Sequence, residues 1–166
     1  MGFFGKLFGS SNDTLAKKKT SQTPQKDGIP YNEGLILQLI SDHKKLVEEF
    51  TKILKATQSK KYKTLKQYLK AFKVNFEIHN YSEKIQLYTY LKNYYKNTEN
   101  IDFIEDMAKS AEEIYKDVFA FLKKYETIEF NDQYLELFKR EFEAIGKILQ
   151  SRIEIEESEL YTLYKK

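Results

Sequence analysis

The chain has 166 residues, with 28 Lys and Arg against 25 Asp and Glu, a formal net charge of +3, two His and no Cys. That length fits one domain burying about two-thirds of its unfolded surface, so size alone demands no disulfide or metal staple. The missing Cys excludes disulfides, thiolate metal sites and cysteine nucleophiles. No nucleophile motif, glycine-rich phosphate loop or dinucleotide fingerprint is present, so the chain is not read as an enzyme.

Composition breaks near residue 30. Residues 1–30 hold both prolines, four of the six glycines, and five Lys against two Asp. Between Gly9 and Gly28 the chain is Ser, Thr, Lys, Gln and Asn with almost nothing to bury, which predicts a disordered basic N-terminal tether. At its start Phe3, Phe4, Leu7 and Phe8 can share one side of a helical turn, a weak contact for a membrane surface or a partner groove. No apolar run reaches ~18 residues and no signal-peptide core is visible, so the expected compartment is the cytoplasm.

From Tyr31 onward there is no Pro, and the only glycines are Gly34 and Gly146. Long helices need that composition, because Pro breaks a helix and Gly weakens it. Four segments carry the 3.6-residue apolar period. The first spans about residues 35 to 57 and the second about 62 to 95, with Asn32 as the expected cap of the first. The third spans about 101 to 125 behind Asn100, and the fourth about 132 to 164 behind Asn131. Short connections favour antiparallel neighbours. The predicted fold is all-α: an up-down-up-down four-helix bundle over residues 31–166, following the tether of residues 1–30.

Polar residues on the apolar stripes carry the functional signal, since exposed charge is expected everywhere else. His43 interrupts the first stripe. His79 and Glu83 sit one turn apart on the second, and Arg152 and Glu156 repeat that spacing on the fourth. The third stripe offers only Met107, Ala108, Ala111 and Ile114, with Glu112 and Glu113 beside it. Thirteen Tyr and twelve Phe fall mostly on stripes or their edges and read as core packing. The bundle region carries 23 basic and 23 acidic residues, so it offers no basic face and nucleic-acid binding is not expected.

The spacing of Asp42-His43, His79-Asn80-Tyr81-Ser82-Glu83 and Arg152-Ile153-Glu154-Ile155-Glu156-Glu157, followed by Leu160-Tyr161, resembles the hemerythrin-like (HHE, cation-binding) family. The resemblance covers nearly all of residues 34–166. It implies a four-helix bundle around a non-haem di-iron centre. In that family the first helix gives a His, the second an H-x-x-x-E pair, the third two His, and the fourth a His with an acid four or five residues on. His43, His79 and Glu83 match, and Glu156 or Glu157 matches the last acid. The third helix has no His, and Arg152 replaces the fourth-helix His. An Arg cannot act as a ligand and sets a fixed positive charge beside any cation.

The resemblance therefore implies an incomplete di-iron ligand set. The first expectation is a metal-free polar core in which Arg152 bridges Glu83 and Glu156 while His43 and His79 donate to the remaining oxygens. The second is a single metal, iron being the family's, on His43, His79, Glu83 and Glu156 or Glu157. The stretch from Leu149-Gln150-Ser151-Arg152 to Glu156-Glu157-Ser158 is also similar to the regulator of sigma D family, iron-free bundles of this shape that bind protein partners. The expected function is a non-enzymatic sensor, regulatory or adaptor module whose partner is a protein, such as a transcription or signalling component. The alternative is a metal-binding protein that senses or stores iron or oxygen.

Overall fold

A computed structural model describes residues 28–166; most of the predicted tether, with Phe3, Phe4, Leu7 and Phe8, lies outside the described residues. Four helical rods follow one another. The first is α1 (Leu35–Gln58). The second runs as α2 (Tyr62–Ser82), a π-helical turn (Glu83–Tyr88) and α3 (Thr89–Tyr95). The third is α4 (Ile101–Thr127). The fourth is α5 (Asp132–Ile155), continued by a second π-helical turn (Glu156–Leu160) and a 3-10 turn (Tyr161–Leu163). The rods pack as a four-cornered bundle: α1 touches α2 and α5, and α4 touches α2 and α5. Among the described residues there is no strand, and no helix is long and apolar enough to cross a membrane.

Caps and a tight turn set the rod ends. Asn131 caps α5 as expected, its side chain accepting a hydrogen bond from the Tyr134 amide at 2.9 Å. Asn100 occupies the cap position of α4 without a side-chain bond. The cap of α1 is Gly34 rather than Asn32. Asn32 works one step outside, accepting the Gly34 amide on its side chain at 3.0 Å and the Leu35 amide on its carbonyl at 3.1 Å. Between α1 and α2 the chain reverses through Lys60, at φ 51°, while the Lys61 amide returns to the Ala56 carbonyl at 3.0 Å.

The core falls into two apolar halves. One is built on phenylalanines, with Phe50, Phe72, Phe76, Phe121, Phe138 and Phe142 around Leu65, Leu69 and Leu122. The other combines Leu35, Leu39, Leu87, Leu91, Ile104 and Leu160 with Tyr88, Tyr90, Tyr95, Tyr161 and Tyr164. Three tyrosines of the second half, Tyr90, Tyr95 and Tyr164, satisfy their hydroxyls with main chain, as buried phenols must find partners. Tyr90 donates to the Lys165 carbonyl at 2.8 Å and Tyr95 to the Leu163 carbonyl at 3.0 Å. The Tyr164 hydroxyl accepts from the Asn32 amide at 2.8 Å. These bonds fix the end of the fourth rod against α3 and thereby set the position of Tyr161.

Gly146, in the interior of α5, lies directly against Phe50 of α1. A Cβ there would stand 2.5 Å from Phe50 Cζ, and that ring cannot retreat because it stacks on Phe142 with centroids 3.9 Å apart. Alanine normally improves a helix interior by about 1 kcal/mol over glycine, but overpacking a filled core costs about 1–3 kcal/mol. Gly146→Ala is expected to lower the melting temperature by roughly 2–6 °C. Gly34→Ala, whose Cβ meets nothing nearer than 3.6 Å, should leave it within about 1–2 °C in the same calorimetric scan.

Candidate metal centre

Between the two apolar halves lies a polar layer. His43 comes from the middle of α1, His79 from the last turn of α2, and Arg152 from the last turn of α5. Glu83 and Glu156 are each the first residue of a π-helical turn. All five are buried. A π turn adds a residue to the helical circuit and re-aims the side chain at its start, and such turns gather at functional sites.

Four donor atoms converge. His43, His79, Glu83 and Glu156 each place one ligating atom within 4.8 Å of all the others. The two imidazole Nε2 atoms face each other at 3.1 Å. Glu156 Oε2 lies 3.2 Å from His43 Nε2, and Glu83 Oε2 lies 3.8 Å from His79 Nε2.

An outer set of groups orients the inner four. His43 donates its Nδ1 hydrogen to Glu157 at 2.8 Å, which leaves Nε2 turned inward. His79 Nδ1 lies 3.8 Å from Asp42 Oδ2, and both atoms are buried without a hydrogen-bond partner among the described residues. Tyr161 donates to Glu83 Oε1 at 2.8 Å. Arg152 donates through Nε to Glu156 Oε1. Each carboxylate therefore spends one oxygen on an outer donor and keeps the other for the centre. Each imidazole turns its second nitrogen toward an acid, the arrangement that sets the tautomer of histidine ligands.

The expected bridging role of Arg152 is not what forms. The guanidinium bonds Glu156 and the hydroxyl of Tyr88, and approaches Met107 Sδ at 3.5 Å, but makes no hydrogen bond to Glu83. Tyr161 takes that place. The spacing of i and i+4 brings Arg152 to Glu156 along one rod, while the partner across the bundle is decided by which side chain reaches first. Glu156 and Glu157, alternatives in the sequence, divide the work: Glu156 faces the centre and Glu157 holds the outer nitrogen of His43. Tyr88 carries no distinct sequence signal, because a tyrosine on a stripe looks like core, and the spacing that marks Asp42 and Tyr161 does not show that they face His79 and Glu83.

Charges in this layer are pushed apart. Burial opposes charging His43, but hydrogen bonds to Glu156 and Glu157 outweigh it and raise its pKa from 6.5 to about 9. Burial, then the nearby charge of Glu156, pushes the Glu83 carboxyl up. Burial works on Glu156 too, yet the hydrogen bond from His43 and the charge of Arg152 hold it below the usual carboxylate range. Burial also raises the hydroxyls of Tyr88 and Tyr161, so both remain phenols that donate hydrogen bonds.

The donor set fits one cation. Two imidazoles and two carboxylates match a divalent ion in ligand type and in charge. The unpartnered Asp42 and His79 atoms stand where an outer hydrogen bond forms once His79 Nε2 is engaged. A pair of cations is not accommodated. On the far side of Glu156 stand the guanidinium, Tyr88 and Met107, with no further imidazole or carboxylate in the group. An apolar cavity lined by Phe50, Phe72, Phe76, Ala111, Ile114 and Leu149 shares a wall with these residues.

Two outcomes test this electrostatic reading in chelator-treated protein. Arg152→Ala strands Glu156 and Tyr88 in the core, and loss of one partner of a buried pair typically costs about 3–5 kcal/mol; an unchanged chemical-denaturation midpoint contradicts the network. His43 has a folded pKa above its unfolded one. Its stabilisation, on the order of 3 kcal/mol, is therefore complete below about pH 6.5 and lost as pH rises through about 9. Melting temperature should fall across that window and the fall should be shallower in His43→Gln.

Residues 35–164 match the family described as Hemerythrin HHE cation binding domain. Comparison with curated proteins and with solved structures finds no match. A match over most of the chain, on a four-rod bundle with inward His and Glu from its first, second and fourth rods, places the protein in the hemerythrin HHE cation-binding family.

Proposed function

We propose that the domain is a non-catalytic module that holds a single divalent cation on His43, His79, Glu83 and Glu156, and that occupancy of this site regulates its contacts with a protein partner. The observation that carries the reading is the pair of Nε2 atoms facing each other at 3.1 Å, each ring backed by an acid on its other nitrogen. A mixed imidazole and carboxylate set suits ferrous iron or zinc. Iron would bring one-electron chemistry, whereas zinc would act as a tie alone. The four donors belong to the first, second and fourth rods, so a cation adds a cross-link through the middle of the bundle. That link makes occupancy a matter of stability and rigidity, the property a sensor transmits.

A second reading is favoured by Arg152. Its guanidinium neutralises Glu156, and the raised pKa of His43 lets the buried charges balance with no ion. On that reading the domain acts as an adaptor through protein contacts only.

Reconstitution distinguishes the two. Full-length protein is stripped with chelator, loaded anaerobically with ferrous iron or with zinc, desalted and assayed by elemental analysis and thermal denaturation. The expected result is one ion per chain and a melting temperature raised by roughly 5–10 °C at ~100-fold excess over the dissociation constant. His79→Ala and Glu83→Gln should abolish retention. No ion retained leaves the adaptor reading standing, and two ions per chain sink the single-cation centre.

A further inference from the structure

The outward side of α2, continued into the π-helical turn that follows it, carries a pattern that the centre does not use. Val74, Ile78, Tyr81 and Ile85 are 51%, 55%, 68% and 39% exposed, and Ala71 extends the same line one step earlier. The intervals are three, four, three and four residues, the a and d positions of a heptad seam. α1 and α4 flank α2 on its inner sides, and among the described residues nothing covers this side. A contiguous apolar stripe of this kind marks an interaction surface, unlike apolar residues scattered singly.

Three charged residues, Lys70, Glu77 and Lys84, run beside the seam on one flank. Glu77 and Lys84 are seven residues apart, and neither forms a salt bridge among the described residues. We propose that this seam pairs with the same seam of a second copy of the chain, antiparallel, about a two-fold axis passing near Asn80. In that register Ile78 lies over the second copy's Tyr81 and Val74 over its Ile85. Glu77 then reaches the second copy's Lys84, and symmetry makes the contact twice. A parallel register gives neither charge an opposite partner. The acid and the base thus select both a self-pairing and its direction, as an isologous interface requires. One helix seam is small beside the ~1,600 Å² of a standard interface, so the dimer is transient and concentration-dependent.

Sedimentation velocity of the full-length chain, from about 1 to 300 μM at low salt, is the test. The expected result is a reversible monomer–dimer equilibrium. Ile78→Asp, on an exposed position that leaves helicity and melting temperature unchanged, should abolish it. Glu77→Lys and Lys84→Glu should each weaken association about tenfold, and the double reversal should restore it. A monomer at every concentration overturns the proposal, as does a dimer that survives Ile78→Asp or a double reversal no better than the single ones. If residues 1–9, with Phe3, Phe4, Leu7 and Phe8, cover the seam instead, the intact chain stays monomeric and only their deletion allows association. That outcome also overturns it.

Discussion

Glu83 and Glu156 lie buried in the middle of a helical bundle, and an isolated carboxylate there costs several kcal/mol to keep ionised. The layer around them answers that cost from three directions. Arg152 supplies a fixed cation to one, Tyr161 a hydrogen bond to the other, and His43 a titratable positive charge between them. The two apolar halves of the core then close over the layer from either end and keep water from doing the same job. The tyrosine contacts at the end of the fourth rod belong to this scheme, since they hold Tyr161 in place.

Arg152 gives the centre its particular character. A guanidinium keeps its charge at any pH the protein meets and cannot be lost to a chelator. Beside Glu156 this chain has a side chain that brings its own charge and contacts Glu156, Tyr88 and Met107 at once. The remaining four donors still converge, and their outer partners still orient them. The two halves of the layer are therefore unlike: one is closed by a permanent charge, the other carries the titratable ring of His43.

Much of this was legible in the residues. A 3.6-residue period without proline from Tyr31 onward writes out four rods, and polar residues on an apolar stripe stand out against it. That is why His43, His79, Glu83, Arg152 and Glu156 could be named together. What stripes cannot convey is reach across the bundle. Arg152 was expected to span both carboxylates, yet Tyr161 takes Glu83, because the longer side chain is already held by Tyr88 and Met107. The π turns were invisible for a related reason. One extra residue in a circuit shifts the apolar pattern by less than the width of the stripe, so Leu87, Tyr90 and Leu91 fit a plain α-helix equally well on paper. Asn32 shows the local limit: the right residue type at the right place serves Gly34 from outside the helix rather than capping it directly.

The π turn at Glu83–Tyr88 also has an evolutionary consequence. Winding these same residues into a regular α-helix, with none removed, would rotate everything beyond by about 100° relative to α2. Tyr90 and Tyr95 would swing away from the carbonyls of Lys165 and Leu163. The π turn is therefore what keeps α3 in phase with the residue count of this rod. Homologous chains that keep this centre should gain or lose length in the loops between rods, and lose a residue here only together with the π turn.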